Sequence, residues 1–104
     1  MANYLLAYRG GGMPASPEEG AKVMEAWGVW MAQLGDALVD GGNPIGQAKT
    51  VGADGSVGGD GRSSLSGYSV IRADNLDQAI AAAKMCPVLQ SGATIEVCET
   101  FNAM

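Results

Sequence analysis

Apolar and polar positions alternate from Asn3 to Arg9, with Tyr4, Leu6 and Tyr8 on one face and Leu5 and Ala7 on the other. Both faces are largely apolar, which predicts a strand inside a sheet rather than at its edge. After Gly10-Gly11-Gly12-Met13-Pro14, the run Ser16-Pro17-Glu18-Glu19 carries the signals of a helix start. Serine can accept from the N3 amide, proline suits the first helical position, and Glu19 can reach back. Val23, Trp27, Trp30 or Met31, and Leu34 then recur at three- and four-residue steps, while Glu18, Lys22, Glu25 and Gln33 fall off that stripe. The spacing predicts one amphipathic helix ending at a left-handed cap on Gly35. Ala37-Leu38-Val39 predicts a short second strand.

Beyond it the pattern loosens. Residues 41–67 hold nine of the 16 glycines, which predicts a hairpin-rich or mobile insert. Within it Gln47–Val51 predicts an extended segment, and Asp54-Gly55 is a type I′ turn signal that folds Ser56-Val57 back against it. Gly67–Arg72, rich in β-branched and aromatic residues, predicts the third main strand. Asn75, with Gln78 three positions on, opens a second helix whose apolar stripe is Leu76, Ala79, Ile80 and Ala83, and Pro87 stops it. From Thr94 to Phe101, Ile95 and Val97 point inward while Glu96, Cys98 and Thr100 point outward, which predicts the last strand. The order predicts an α+β fold: a ferredoxin-like βαββαβ unit with an antiparallel sheet, both helices on one face, and an extra β-hairpin or glycine-rich insert at 41–67, all in a single domain over residues 1–104. A sheet face bearing Tyr4, Leu6 and Tyr8 would not be left in water. Packing it on a two-fold copy predicts a homodimer built sheet to sheet.

Composition narrows function by exclusion. Six basic residues stand against 11 acidic ones, a net charge of −5, with no basic run, which excludes nucleic acid and anionic membrane as partners. The chain has no histidine, so imidazole acid–base catalysis, His metal ligation and Ser–His or Cys–His couples are excluded. The N-terminus lacks a basic segment before its short apolar run, and no stretch approaches the roughly 18–20 apolar residues of a membrane span, so a soluble cytoplasmic protein is expected. Cys86 and Cys98 belong to no Cys-x-x-Cys pair and read as two reduced thiols. No metal and no cofactor is expected.

The expected sheet order would gather Asp36 and Asp40 around the second strand, Arg9 at the end of the first, and Tyr68 and Ser69 on the third. Together with an aromatic wall of Trp27 and Trp30, they would border a cleft between the sheet and the first helix that binds a small organic molecule. A carboxylate held against such a wall has a raised pKa and can exchange protons with a ligand, which makes Asp36 and Asp40 the catalytic candidates. Plainer alternatives stay open: Asp36 and Asp40 as solvated loop carboxylates, Arg9 as a surface ion-pair partner, and Trp27 and Trp30 as core. The stretch Asp54–Gly61 lacks the helix and lysine of a phosphate cradle and holds a single calcium-type repeat unit. It reads as a flexible turn or as a lid over the cleft, and Asp60 within it is a further ligand-binding or base candidate.

The segments Gly67-Tyr68-Ser69-Val70-Ile71, Asp74-Asn75-Leu76-Asp77-Gln78-Ala79, Cys86-Pro87 and Gly92-Ala93-Thr94-Ile95-Glu96-Val97 together resemble the YCII-related, or DGPF, domain family. The likeness extends from the Tyr4-Leu5-Leu6 strand to Glu99. It rests on the acidic-leucine-acidic helix start, the Cys-Pro after the second helix, and the small-residue turn into a Glu-containing last strand. Of the namesake Asp-Gly-Pro-Phe, only Asp60-Gly61 is matched, with Arg62-Ser63 following in place of Pro-Phe. The resemblance implies a dimeric α/β barrel. It also implies that Trp30 and Cys86 occupy the positions where some relatives carry a His and an Asp proposed as an acid–base couple, so that couple is missing here. One relative is a dehydrochlorinase of aromatic degradation, and muconolactone isomerases share the fold. The expected function is therefore small-molecule binding by a homodimeric domain. A lyase or isomerase using carboxylate chemistry, and a non-catalytic assembly module, are the alternatives.

Overall fold

A computed structural model describes residues 2–12 and 15–102. The elements run β1 (Ala2–Arg9), α1 (Pro17–Leu34), a 3₁₀ turn (Gly35–Ala37), β2 (Leu38–Asp40), β3 (Thr50–Val51), β4 (Val57–Gly58), β5 (Leu65–Ala73), α2 (Leu76–Lys84), a 3₁₀ helix (Pro87–Ser91) and β6 (Thr94–Glu99). Four strands form one sheet in the order β2-β5-β1-β6, antiparallel throughout, and β3 pairs with β4 in a separate hairpin. This is the ferredoxin-like α+β arrangement.

Local chemistry sets both helix starts. Ser16 Oγ accepts from the Glu19 amide at 3.2 Å, and the Glu19 carboxylate accepts from the Ala15 amide at 3.0 Å. Asn75 and Gln78 repeat the device, the Gln78 side chain accepting from the Asp74 amide. Gly35 ends α1 with its amide donating to the Met31 carbonyl, but at φ 53°, ψ −123°, outside the left-handed helical region expected of it. The chain there passes directly into the 3₁₀ turn.

The hairpin lies where Asp54-Gly55 places it, with a different turn. Among the described residues no non-glycine residue has positive φ, which removes the type I′ possibility at Asp54. The Gly55 amide instead donates to the Gly52 carbonyl, and Gly55 alone takes φ 87°, giving a three-residue loop closed by a glycine bulge. Asp54 Oδ1 accepts from the Ser56 amide and hydroxyl, and those bonds hold its carboxyl below the ordinary carboxylate range.

Tyr4, Leu6 and Tyr8 lie beneath the helices, in a core with Trp30, Ile71, Ala73, Ala79, Ala83 and Cys86. The expectation that this face would need a partner is therefore corrected. The uncovered face carries the other register: Leu5 sits opposite Cys98 and Val70, and Ala7 opposite Glu96 and Tyr68. Both registers of β1 are apolar, and the larger side chains went to the face that meets Trp30. Among the described residues no helix is long and apolar enough to cross a membrane.

Candidate functional site

Only Trp30 of α1 is buried. Its indole N–H donates to the Ala82 carbonyl at 3.0 Å, tying α1 to α2. The rest of α1 stands off the sheet on large side chains, leaving Val23, Met24 and Val29 exposed. A cavity of about 350 Å³ fills part of that gap. Met24, Trp27 and Met31 line it from α1, Tyr8 from β1, Gly41–Pro44 from the loop after β2, Ser66–Tyr68 from β5, and Val88 from the second 3₁₀ helix. The size falls in the usual range for small-molecule sites.

Two rings define its interior. Tyr8 and Trp27 meet edge to face with centroids 5.8 Å apart, and Trp27 meets Trp30 the same way at 5.6 Å. Tyr8 is held at its other end: its hydroxyl donates to Ser69 Oγ at 2.6 Å, Ser69 donates to the Gly41 carbonyl at 2.9 Å, and the Cys86 thiol lies 3.7 Å from the Tyr8 oxygen. Burial pushes the Tyr8 phenol far above its ordinary value, and the bond to Ser69 offsets this only in part. Tyr8 therefore stays protonated at neutral pH, its one hydroxyl hydrogen committed to Ser69, and it offers the cavity its ring rather than a base. Burial likewise raises the Cys86 thiol, leaving it neutral and unreactive.

The structure scatters the residues singled out from the sequence. Trp27 lines the cavity, and so does Tyr68, although strand alternation puts the Tyr68 side chain on the uncovered face. Ser69 is fully buried behind the cavity and orients Tyr8. Trp30 is core, 3% exposed. Asp36 and Asp40 are exposed and stand outside this cavity's lining, and Asp40 Oδ1 is engaged by the Gly42 amide at 2.8 Å, which shapes the loop that belongs to it. Arg9 pairs with Glu96 at 2.7 Å on the surface, and Asp60 caps the Arg62 amide in the hairpin stem. The positions of Trp30 and Cys86 come together in one buried cluster, where neither offers a proton to a ligand. Among the described residues no group of three His, Cys, Asp or Glu side chains could hold a metal.

The sequence pattern does not single out Tyr8, Met24, Met31, Gly41–Pro44, Ser66, Gly67 or Val88 as site residues. For Tyr8 the signal was present, since a tyrosine at the end of a buried strand register beside a glycine triplet marks a sheet end. Gly67 opposite it leaves room for the ring, a Cβ there meeting Tyr8 Cδ2 at 3.4 Å. A second, more polar groove of about 670 Å³ adjoins the cavity and shares Trp27, Ser66 and Val88 with it.

Fold and cavity thus define a small ferredoxin-like α+β domain with an aromatic-walled pocket under its first helix. No family model matches the chain, and no curated protein does. Among solved structures it is similar to the 5-chloro-2-hydroxyhydroquinone dehydrochlorinase of Burkholderia phenoliruptrix AC1100, solved in complex with 2,5-dihydroxybenzoquinone, at 19% identity and a TM-score of 0.55 over 95% of this chain and 93% of that one. At that identity the likeness shows a shared fold.

Proposed function

We propose that the protein binds a small, flat, largely uncharged aromatic molecule of the hydroquinone or quinone type in the cavity between α1 and the sheet. The observation that carries this reading is the Tyr8–Trp27 pair beside a cavity of about 350 Å³ whose lining contains no carboxylate, ammonium or guanidinium group. Asn43 and Ser66 are the lining residues that supply polar groups to such a ring. The fold shared with a dehydrochlorinase solved with a dihydroxybenzoquinone supports a small planar ring as the ligand. Asp36, Asp40 and Asp60 all lie elsewhere, so binding rather than an acid–base step through these carboxylates is assigned to the site. Together with the segments at 67–79, 86–87 and 92–97, that shared fold supports a divergent YCII-related domain. The two unpaired cysteines support a reducing, cytoplasmic setting.

Titration calorimetry with hydroquinone, uncharged at neutral pH, tests the reading, and 2,5-dihydroxybenzoquinone, an anion at that pH, is the charged control that should bind more weakly to a lining without cations. Saturable binding with a Kd on the order of 0.1 mM is expected, the strength about ten heavy atoms reach. Trp27→Ala should weaken it roughly tenfold or more, the loss of one desolvated aromatic contact, with Trp27→Phe intermediate. Absence of saturation at millimolar hydroquinone overturns it.

A homodimer that covers the Leu5, Val70 and Cys98 face completes the proposal, because that face is apolar at its centre and polar at its rim. The expected signature is thiol chemistry: Cys98 alkylation slows as protein concentration rises, while Cys86 reacts only after unfolding. A Cys98 rate independent of concentration argues against this interface.

A further inference from the structure

We propose that the glycine-rich ribbon is an exchange arm, each copy laying β3 and β4 against the other and burying Val51 and Val57 there. The inference rests on the homodimer reading and says how its contacts are completed.

The β2–β5 ladder does not stop at the sheet. Pro44 bridges Gly67, the Ile45 amide donates to the Ser66 carbonyl and the Ala48 amide to the Gly61 carbonyl, and the pairs Thr50–Gly58 and Val51–Val57 continue it to the turn. At about 3.3 Å per residue the two-stranded arm reaches roughly 25 Å from Pro44. Every described hydrogen bond of residues 48–62 stays inside the arm. Val51 and Val57 face each other across it at 68% and 67% exposure. Two short strands alone are marginal in water, so an ordered arm of this kind calls for a surface to lie on.

The size of the molecule points the same way. Its accessible surface is 7150 Å² for 10.6 kDa, where a compact monomer of that mass shows about 5,500 Å². Its radius of gyration is 15.3 Å, against about 13 Å for a compact chain of this length. The excess of about 1,700 Å² exceeds the roughly 800 Å² per partner of a standard interface. A second copy is the occupant because the arm and the uncovered sheet face belong to one chain, and a two-fold axis lets each copy's arm meet the other copy in the same way. Residues 45–64 carry Lys49 and Arg62 against Asp54 and Asp60, so a neutral arm meets an acidic body without repulsion.

Sedimentation over a concentration series compares the wild type with the double variant Val51→Ser, Val57→Ser, and circular dichroism confirms that both are folded. The dimer of the variant should dissociate on the order of 100-fold more readily, since four buried valines become hydroxylated and shortened. A photoreactive benzophenone amino acid substituted for Val57, in the otherwise unchanged chain, should give a covalent dimer on irradiation. An unchanged dissociation constant with crosslinks confined within one chain overturns the arm and leaves the homodimer standing. A wild-type monomer up to about 0.1 mM overturns both.

Discussion

Trp30→Ala is expected to lower the unfolding free energy by about 3–5 kcal/mol, the range for emptying a buried large aromatic site. Trp30 is the single buried residue of an 18-residue helix, 3% exposed and packed among Tyr4, Leu6, Tyr8, Ile71, Ala79 and Ala83. Its removal leaves α1 with only partly buried anchors, Trp27, Met31 and Leu34. It also removes the Nε1 bond to the Ala82 carbonyl, although that oxygen keeps the Met85 amide as a second donor. The cavity term should therefore dominate, and Trp30→Phe should recover most of the loss, leaving about 1–1.5 kcal/mol for the missing hydrogen bond and smaller ring. Because a domain of this size holds only about 5–15 kcal/mol in total, the alanine variant should begin to unfold at much lower urea. Urea titration at fixed protein concentration measures it. A loss below about 1 kcal/mol would mean that α1 is not docked through this side chain. The same result bears on function, since the structure gives Trp30 a structural task and no place in the cavity lining.

What the sequence made legible was local. Ser16 with Glu19, and Asn75 with Gln78, announce helix starts because each cap is closed by residues three apart. The hairpin's position was equally plain from Asp54-Gly55, whereas its turn type depended on whether one or two residues take positive φ, which a dipeptide does not decide. Alternation in β1 separated two faces but could not say which one the helices would choose, because Leu5 and Ala7 are nearly as apolar as Tyr4, Leu6 and Tyr8. The site was harder still. Its walls come from segments far apart in the chain, and three of its contributors, Gly41, Gly42 and Pro44, carry no functional side-chain chemistry. Acidic residues drew attention at Asp36 and Asp40, yet charge records nothing of direction, and both carboxylates ended in solvent. The glycines proved the better guide to the pocket, because they mark where backbone approaches backbone.

Gly42 is the sharpest such point, and Gly42→Ala should be the most damaging small substitution in the loop. The residue adopts φ 77°, and a Cβ built there would lie 1.5 Å from the Tyr68 carbonyl oxygen and 2.5 Å from its carbon. Neither atom is the end of a flexible side chain; both are backbone of β5, a central strand. Accommodating a methyl group therefore means moving the 41–44 loop off β5. That displacement would strain the Asp40–Gly42 bond and the Ser69 bond to the Gly41 carbonyl, which in turn releases Tyr8 at the cavity wall. The positive φ alone costs about 1 kcal/mol for a non-glycine residue. With the clash and the lost bonds the expected destabilisation is about 3 kcal/mol or more, a fall in Tm of roughly 12 °C or more for a domain of this length. Gly46→Ala is the matched control: nothing lies within 4 Å of the place its methyl group would take and its φ is not positive, so its Tm should stay within a few degrees of the wild type. Should Gly42→Ala melt as Gly46→Ala does, the loop is not pressed against β5 and the cavity wall it forms is open. If Gly42→Ala folds but melts early, calorimetry should show ring binding lost with it, because the same backbone contact shapes the pocket and holds the strand.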